Sequence, residues 1–398
     1  MTSATTQLRP LKWEYQRDPY PHYERLRESP AVWVPELNAW FVGRHADVLR
    51  MEKTPEIFSH ARFEELSRGE FRPVPGAASI LSSDPPEHGR LRQLARQAFL
   101  PAKVRSFKDA VARRTQAALD SCSEAGPVFD VQALFANRIP VEMICEILGA
   151  DDSHSGDFKR WTADILSAGM RATMGPAELG QIRASVDSAE AYFKDLIERK
   201  RQARGSDMIS TLLAVEEDGE RLTTDELRLL AIQLLVGGDE TTAHLLTNTL
   251  VCLWRNPDQF ELVKNDHSLI PNLIEESLRY ESPVQTGFLT TTRDVDLDGV
   301  EIEAGAAVIA VWGSANRDPD VFPDPDRFDV TRDTRGHMAF GHGAHFCLGA
   351  ALARLEAHTI LPLLFERFPD IAPANPDDEF NWIPSYWLRG LTSLRVVV

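Results

Sequence analysis

Between Thr224 and Arg255 nearly every helical face carries Leu, Ile or Val. A helix that is apolar all round is a buried helix, and at roughly 1.5 Å per residue this one is long enough to cross a molecule of this size. Thr223 and Glu226 give it a capping-box start. Its middle breaks the pattern, reading Gly237-Gly238-Asp239-Glu240-Thr241-Thr242. Two glycines in a helix interior lose about 1 kcal/mol each relative to Ala, and an acid with two threonines adds polar groups to a buried span. Such a departure points to function. The Thr241 hydroxyl can bond back to the carbonyl of Gly237, opening the helix where missing side chains leave room for a diatomic ligand. On these residues alone, a kinked packing helix with self-satisfied threonines is equally open.

Other amphipathic stretches run over 105–121, 157–167, 181–202 and 350–367, so helix is the main element. Strand signals are short. They lie at 39–42 and after 290, where Val295 and Leu297 alternate up to Asp298-Gly299, a good hairpin turn, and resume at Val300 and Ile302. Residues 316–335 are rich in Pro and Asp and should form an ordered irregular segment. No composition shift marks a linker, so the 398 residues read as one domain, with residues 1–15 flexible. Sixty acidic against forty-three basic residues give a formal charge of -17, which disfavours general affinity for nucleic acid or anionic membrane. The polar N-terminus has no signal-peptide core, and no apolar run reaches about 18 residues, so the chain reads as cytoplasmic and unanchored.

The four cysteines are widely separated, without a CxxC pair, which fits neither a disulfide scaffold nor a zinc ribbon. Three read as packing thiols. The fourth, Cys347, lies in Phe340-Gly-His-Gly-Ala-His-Phe-Cys-Leu-Gly349, directly before an Ala-rich helical pattern. The positive end and free N–H groups of a helix N-terminus lower a thiol pKa and temper a sulfur ligand, as an iron–thiolate centre requires. A plain glycine turn with a buried cysteine is the alternative. His337, His342, His345 and Cys347 also crowd the loop, but a zinc site with histidine usually needs a second Cys or a helical His pair.

Phe340, Gly343, Cys347 and Gly349 resemble the haem-binding signature of the cytochromes P-450, and the resemblance extends in order over nearly the whole chain. It implies a mainly α fold with small β-sheets, a triangular helix-rich domain holding haem b between a long buried distal helix and a proximal Cys loop. By that resemblance Cys347 is the iron ligand, Phe340 packs beside the sulfur, and His345 meets a haem propionate. The Gly-x-acid-Thr match makes Gly237 the opening beside the haem, Thr241 the hydroxyl that steadies oxygen, and Glu240 a proton relay. His88 and Arg92, four apart on another helix, become propionate clamps. The family's further propionate arginine, five residues before Asp294, is absent: Leu289 stands there, with Arg293 next to the aspartate. Glu276 and Arg279 share a helix face, and the family joins them to a later arginine, a place that Arg327 fills, to brace the Cys loop.

The same resemblance draws the distal pocket from Gln233, Val236, Val284, Gln285, Phe288, Trp387 and Leu388, as well as Met170 and Met174. This suits a mainly apolar small molecule with one or two polar groups. No flavin or iron–sulfur domain is appended, so electrons should come from NAD(P)H through a separate ferredoxin reductase and ferredoxin, docking near Arg96, Lys103, Arg105 and Arg354. The expected protein is a monomeric monooxygenase that hydroxylates or O-dealkylates its substrate. A peroxide-driven peroxygenase needs only the Cys loop, and a haem-binding sensor needs neither the glycine room nor the acid.

Overall fold

In the computed structural model, which describes residues 8–215, 219–375 and 379–398, the long apolar segment is one helix, Thr224–Arg255. It starts at the capping box: Glu226 N–H donates to Thr223 Oγ1 at 3.2 Å, and Thr223 N–H donates to the Glu226 carboxylate at 2.7 Å. Helices Arg138–Leu148, Ser155–Ser167, Pro176–Gln202, Ile270–Tyr280 and Ala350–Arg367 pack directly on it. Neighbours on all sides are why its leucines need no single apolar stripe. The flexible stretch expected at residues 1–15 lies partly outside the described residues. From Leu8 onward it is packed, with Leu8 and Tyr15 buried and Trp13–Arg17 helical.

A five-stranded sheet flanks the helices in the spatial order Val32–Val34, Ala39–Val42, Ala307–Ala310, Gly287–Thr291 and Phe58–Ser59. Ala39–Val42 and Ala307–Ala310 are parallel, and the other pairings are antiparallel. Side chains alternate across the sheet, so in Gly287–Thr291 Phe288 joins the main core while Leu289 joins a smaller apolar cluster. Val295–Leu297 and Val300–Ile302 form the hairpin read from the sequence. Its turn residues Asp298 and Gly299 have φ of 47° and 89°, the left-handed pair that a two-residue turn demands. No helix of the described residues is long and apolar enough to cross a membrane.

The irregular segment that leads to Cys347 is latched to the helix Ile270–Tyr280 by a fully buried ion pair. Arg279 grips Glu276 with two bonds of 2.7 and 2.8 Å, and its remaining N–H groups go to the carbonyls of Asn316, Pro325 and Arg327. Glu276 also accepts the Asp329 N–H at 2.9 Å. The third arginine is Arg332, whose Nε lies 3.3 Å from Glu276. This corrects the expectation for Arg327, which contributes only its carbonyl while its side chain is 63% exposed near Asp329. The chain turns between the two positions, and the turn brings Arg332, not Arg327, back over the buried carboxylate. Arg332→Ala should therefore destabilise the protein by roughly 1–3 kcal/mol in urea unfolding. Arg327→Ala should stay within about 0.5 kcal/mol of wild type.

Candidate functional site

The loop 340–349 has little regular structure beyond a short turn at Gly343–His345, so its shape comes from specific contacts. Cys347 N–H donates to the Phe340 carbonyl at 2.9 Å, closing the loop. Gly343 has φ of 67°, and a Cβ there would come within 2.1 Å of the Glu52 carbonyl, so the helix His45–Lys53 packs straight onto bare backbone. The Phe340 ring lies under the Arg354 guanidinium at 4.5 Å, and Arg354 is itself held by Glu275 at 2.6 Å. Arg354 is thus tied into the loop, with 30% of its side chain still exposed. His337, one of the crowded histidines, faces Glu275 at 2.9 Å and turns away from the sulfur.

The Cys347 side chain lines a cavity of about 310 Å³. Backbone N–H groups of Gly349 and Ala350, with Arg92 and Arg354, favour the thiolate. Burial outweighs them and raises the thiol above its ordinary value, contrary to the lowering expected from the helix end alone. A sulfur held this way gives up its proton to a metal cation more readily than to water.

Gly237, Gly238 and Thr241 of the long helix line the same cavity. The Thr241 hydroxyl donates to the Gly237 carbonyl at 2.6 Å, the back-bond that the spacing predicts, and the helix absorbs it without a break. A Cβ on Gly237 would meet nothing within 4 Å, so the missing side chain leaves open space. Glu240 points the other way, towards Lys159 at 3.8 Å, and Asp239 shares that lysine at 3.3 Å. Burial raises both acids, Asp239 to about 7. Two further buried acids border the cavity. Glu356 is pushed up to about 8 by burial and by Asp239, and Glu52, bonded to Trp312 Nε1 at 2.8 Å, is raised to about 7 by burial. Neither carried a local sequence signal, because each is a single residue on an ordinary helical pattern.

Arg92 and His345 line the cavity together with His60, and His88 lies against His345 without lining it. The His60 and His345 rings stack at 3.7 Å, and His88 lies 4.0 Å from His345. Buried nitrogens on all three imidazoles lack a protein partner, and burial keeps His345 neutral to about 2 and His60 to about 4. Unpartnered donors beside an arginine are a seat for carboxylates. Leu289 is buried in the smaller apolar cluster and Arg293 is exposed beyond the strand, so neither supplies the missing arginine. His60 stands there instead, because Ser59 pairs with Thr290 and carries the next residue to this cluster. A lone histidine gives no sign of that register in the sequence. A thiol, an open glycine and a cluster of buried donors around one cavity fit a haem, which Cys347 would hold at its iron and His60, His88, Arg92 and His345 would hold at its carboxylates.

Gln233, Val236, Val284, Trp387 and Leu388 line the cavity as expected. Gln285 does not. Its amide is used by Tyr23 Oη at 2.8 Å and the Ser282 carbonyl at 2.6 Å, so it anchors the strand instead. Phe288 stands one layer back, edge-on to Phe63 at 5.7 Å and to Trp387 at 5.9 Å. Met170 and Met174 pack in the core, outside the lining.

Comparison with known proteins agrees with this geometry. The family model described as Cytochrome P450 matches residues 31–381. The chain is 39% identical to Cytochrome P450 107B1 of Saccharopolyspora erythraea, over 96% of this chain and 95% of the relative. It is 37% identical to the 6-deoxyerythronolide B hydroxylase of the same organism, over 95% and 96%. Among solved structures, cytochrome P450 CYP109Q5 from Chondromyces apiculatus superposes with a TM-score of 0.88 at 35% identity, covering 99% of this chain and 98% of that one.

The carboxylate seat generates a specific expectation. His60→Ala should speed haem loss to apomyoglobin by roughly tenfold, the effect of removing one charge-assisted bond. Arg293→Ala, outside the seat, should lose haem at the wild-type rate.

Proposed function

The chain belongs to the cytochrome P450 family and is a P450 monooxygenase, and on that footing we propose how this particular cavity works. The substrate is a mainly apolar small molecule that is hydroxylated or O-dealkylated. The prosthetic group is haem b, and electrons come from NAD(P)H through a separate ferredoxin reductase and ferredoxin. The observation that carries the reading is that Gly237 and Thr241 line the same largely apolar cavity as Cys347, with the Thr241 hydroxyl bonded to Gly237. When bound, haem supplies the iron centre that activates dioxygen.

The chain's own groups handle protons and water. Thr241 donates its hydroxyl hydrogen to Gly237, which leaves its oxygen lone pairs free to take a hydrogen bond from the cavity side. Glu240, raised by burial and facing Lys159 outside the cavity lining, is suited to bring protons from that side of the helix. Ile144, Leu166, Leu245 and Val284 keep bulk water from the reacting face. The relative named 6-deoxyerythronolide B hydroxylase supports hydroxylation as the reaction of this chain. For the electron donor, Arg96 and Arg105 are exposed, while Lys103 is bonded to the Ser206 carbonyl.

Thr241→Ala should consume NAD(P)H at a rate close to wild type but divert most electrons to hydrogen peroxide. Ala is the better helix former, so the fold should survive. Glu240→Gln keeps the shape and removes the acid, and should slow turnover roughly tenfold or more. Product yield per NAD(P)H, measured on several substrates, checks both. A wild-type yield in Thr241→Ala for all of them would remove the hydroxyl from the reaction.

A further inference from the structure

Two polar side chains of the cavity wall each keep one buried atom without a partner. Arg68, at the end of the helix Phe63–Arg68, and Gln233, on the long helix, both line the cavity, at 5% and 7% exposure. Arg68 Nη1 bonds Glu64 at 3.2 Å, but its Nε–H is buried without a partner. Gln233 Nε2 bonds Glu64 at 3.0 Å and Ser79 Oγ at 2.8 Å, but its Oε1 is buried without a partner. The Glu64 carboxylate fixes the amide's direction, since the flipped amide would set oxygen against oxygen. One N–H donor and one carbonyl acceptor therefore remain in a desolvated wall, and leaving such groups unmade is unfavourable.

Resting on the monooxygenase reading, we infer that Arg68 and Gln233 form a polar stop that takes a neutral hydroxyl group of an otherwise apolar substrate. A hydroxyl accepts from Arg68 Nε and donates to Gln233 Oε1 at once. A carboxylate cannot donate, and it would set a second negative charge beside Glu64, whose charge Arg68 already balances. An ether can accept but leaves the Gln233 carbonyl unpaired. Gln233, Gly237 and Thr241 follow one another at four-residue steps on one side of the helix, so the stop lies about 12 Å along the axis from Thr241. A substrate held there is oxidised at a carbon remote from its hydroxyl.

The test uses the haem-loaded protein and three probes with one apolar body: lauryl alcohol, its methyl ether and laurate. Affinities are read by the spin-state change and by calorimetry, so that binding away from the iron is also counted. The alcohol should bind at least about tenfold more tightly than the ether or laurate. In Gln233→Leu that advantage should vanish. Comparable affinity of alcohol and ether in the wild type, or preference for laurate, would overturn the stop, as would a full advantage retained in a folded, haem-loaded Gln233→Leu. The wild-type series decides even if the variant fails to fold. Loss of the monooxygenase reading would appear separately, as failure to oxygenate any probe, while the calorimetric contrast would still decide the subsite.

Discussion

Everything in this molecule depends on holding a nearly structureless loop at a fixed place beneath the polar break of a buried helix. The loop 340–349 cannot hold itself, because its glycines are chosen for close approach and not for stiffness. Its position is set from outside, by Arg354 and Glu275 on one side and by the backbone of His45–Lys53 on the other. One level further out, the buried pair Glu276–Arg279 ties the preceding segment through three carbonyls and Asp329. A buried ion pair is often no more stabilising than apolar side chains of the same volume, but with every donor and acceptor met it permits one arrangement only. Uniqueness of the loop is what the site needs.

The same economy of charge shapes the cavity. Asp239 and Glu240 gather around Lys159, imidazoles and Arg92 gather together elsewhere, and the walls are otherwise largely apolar apart from the buried acids Glu52 and Glu356. This segregation lets one small volume offer proton-handling groups on one side and carboxylate-binding donors on another, without the two neutralising each other. Where Arg68 and Gln233 line the cavity, they are already partly bonded to Glu64, which limits what can join them.

What the sequence made legible was local. A capping box, a hairpin turn, the back-bond from Thr241 to Gly237, and His88 with Arg92 on one helix all follow from spacings of two to four residues. The Cys loop was legible because its glycines and cysteine are contiguous. What escaped depends on contacts between distant segments. His60 reaches the propionate edge through the register of Ser59 with Thr290, and Arg332 replaces Arg327 because of a turn whose course no spacing encodes. Gln285 is polar and near the pocket, but the sequence does not say that Tyr23 uses its amide. The N-terminal residues from Leu8 on were read as loose because their few apolar side chains have meaning only against the surfaces they cover.

Cys347 as the iron ligand is tested most directly by the absorbance of the reduced, carbon monoxide-bound protein. The native protein should show the red-shifted Soret band of thiolate ligation, and Cys347→His should lose it. A band typical of histidine ligation in the native protein, or an unchanged band in Cys347→His, would contradict that assignment.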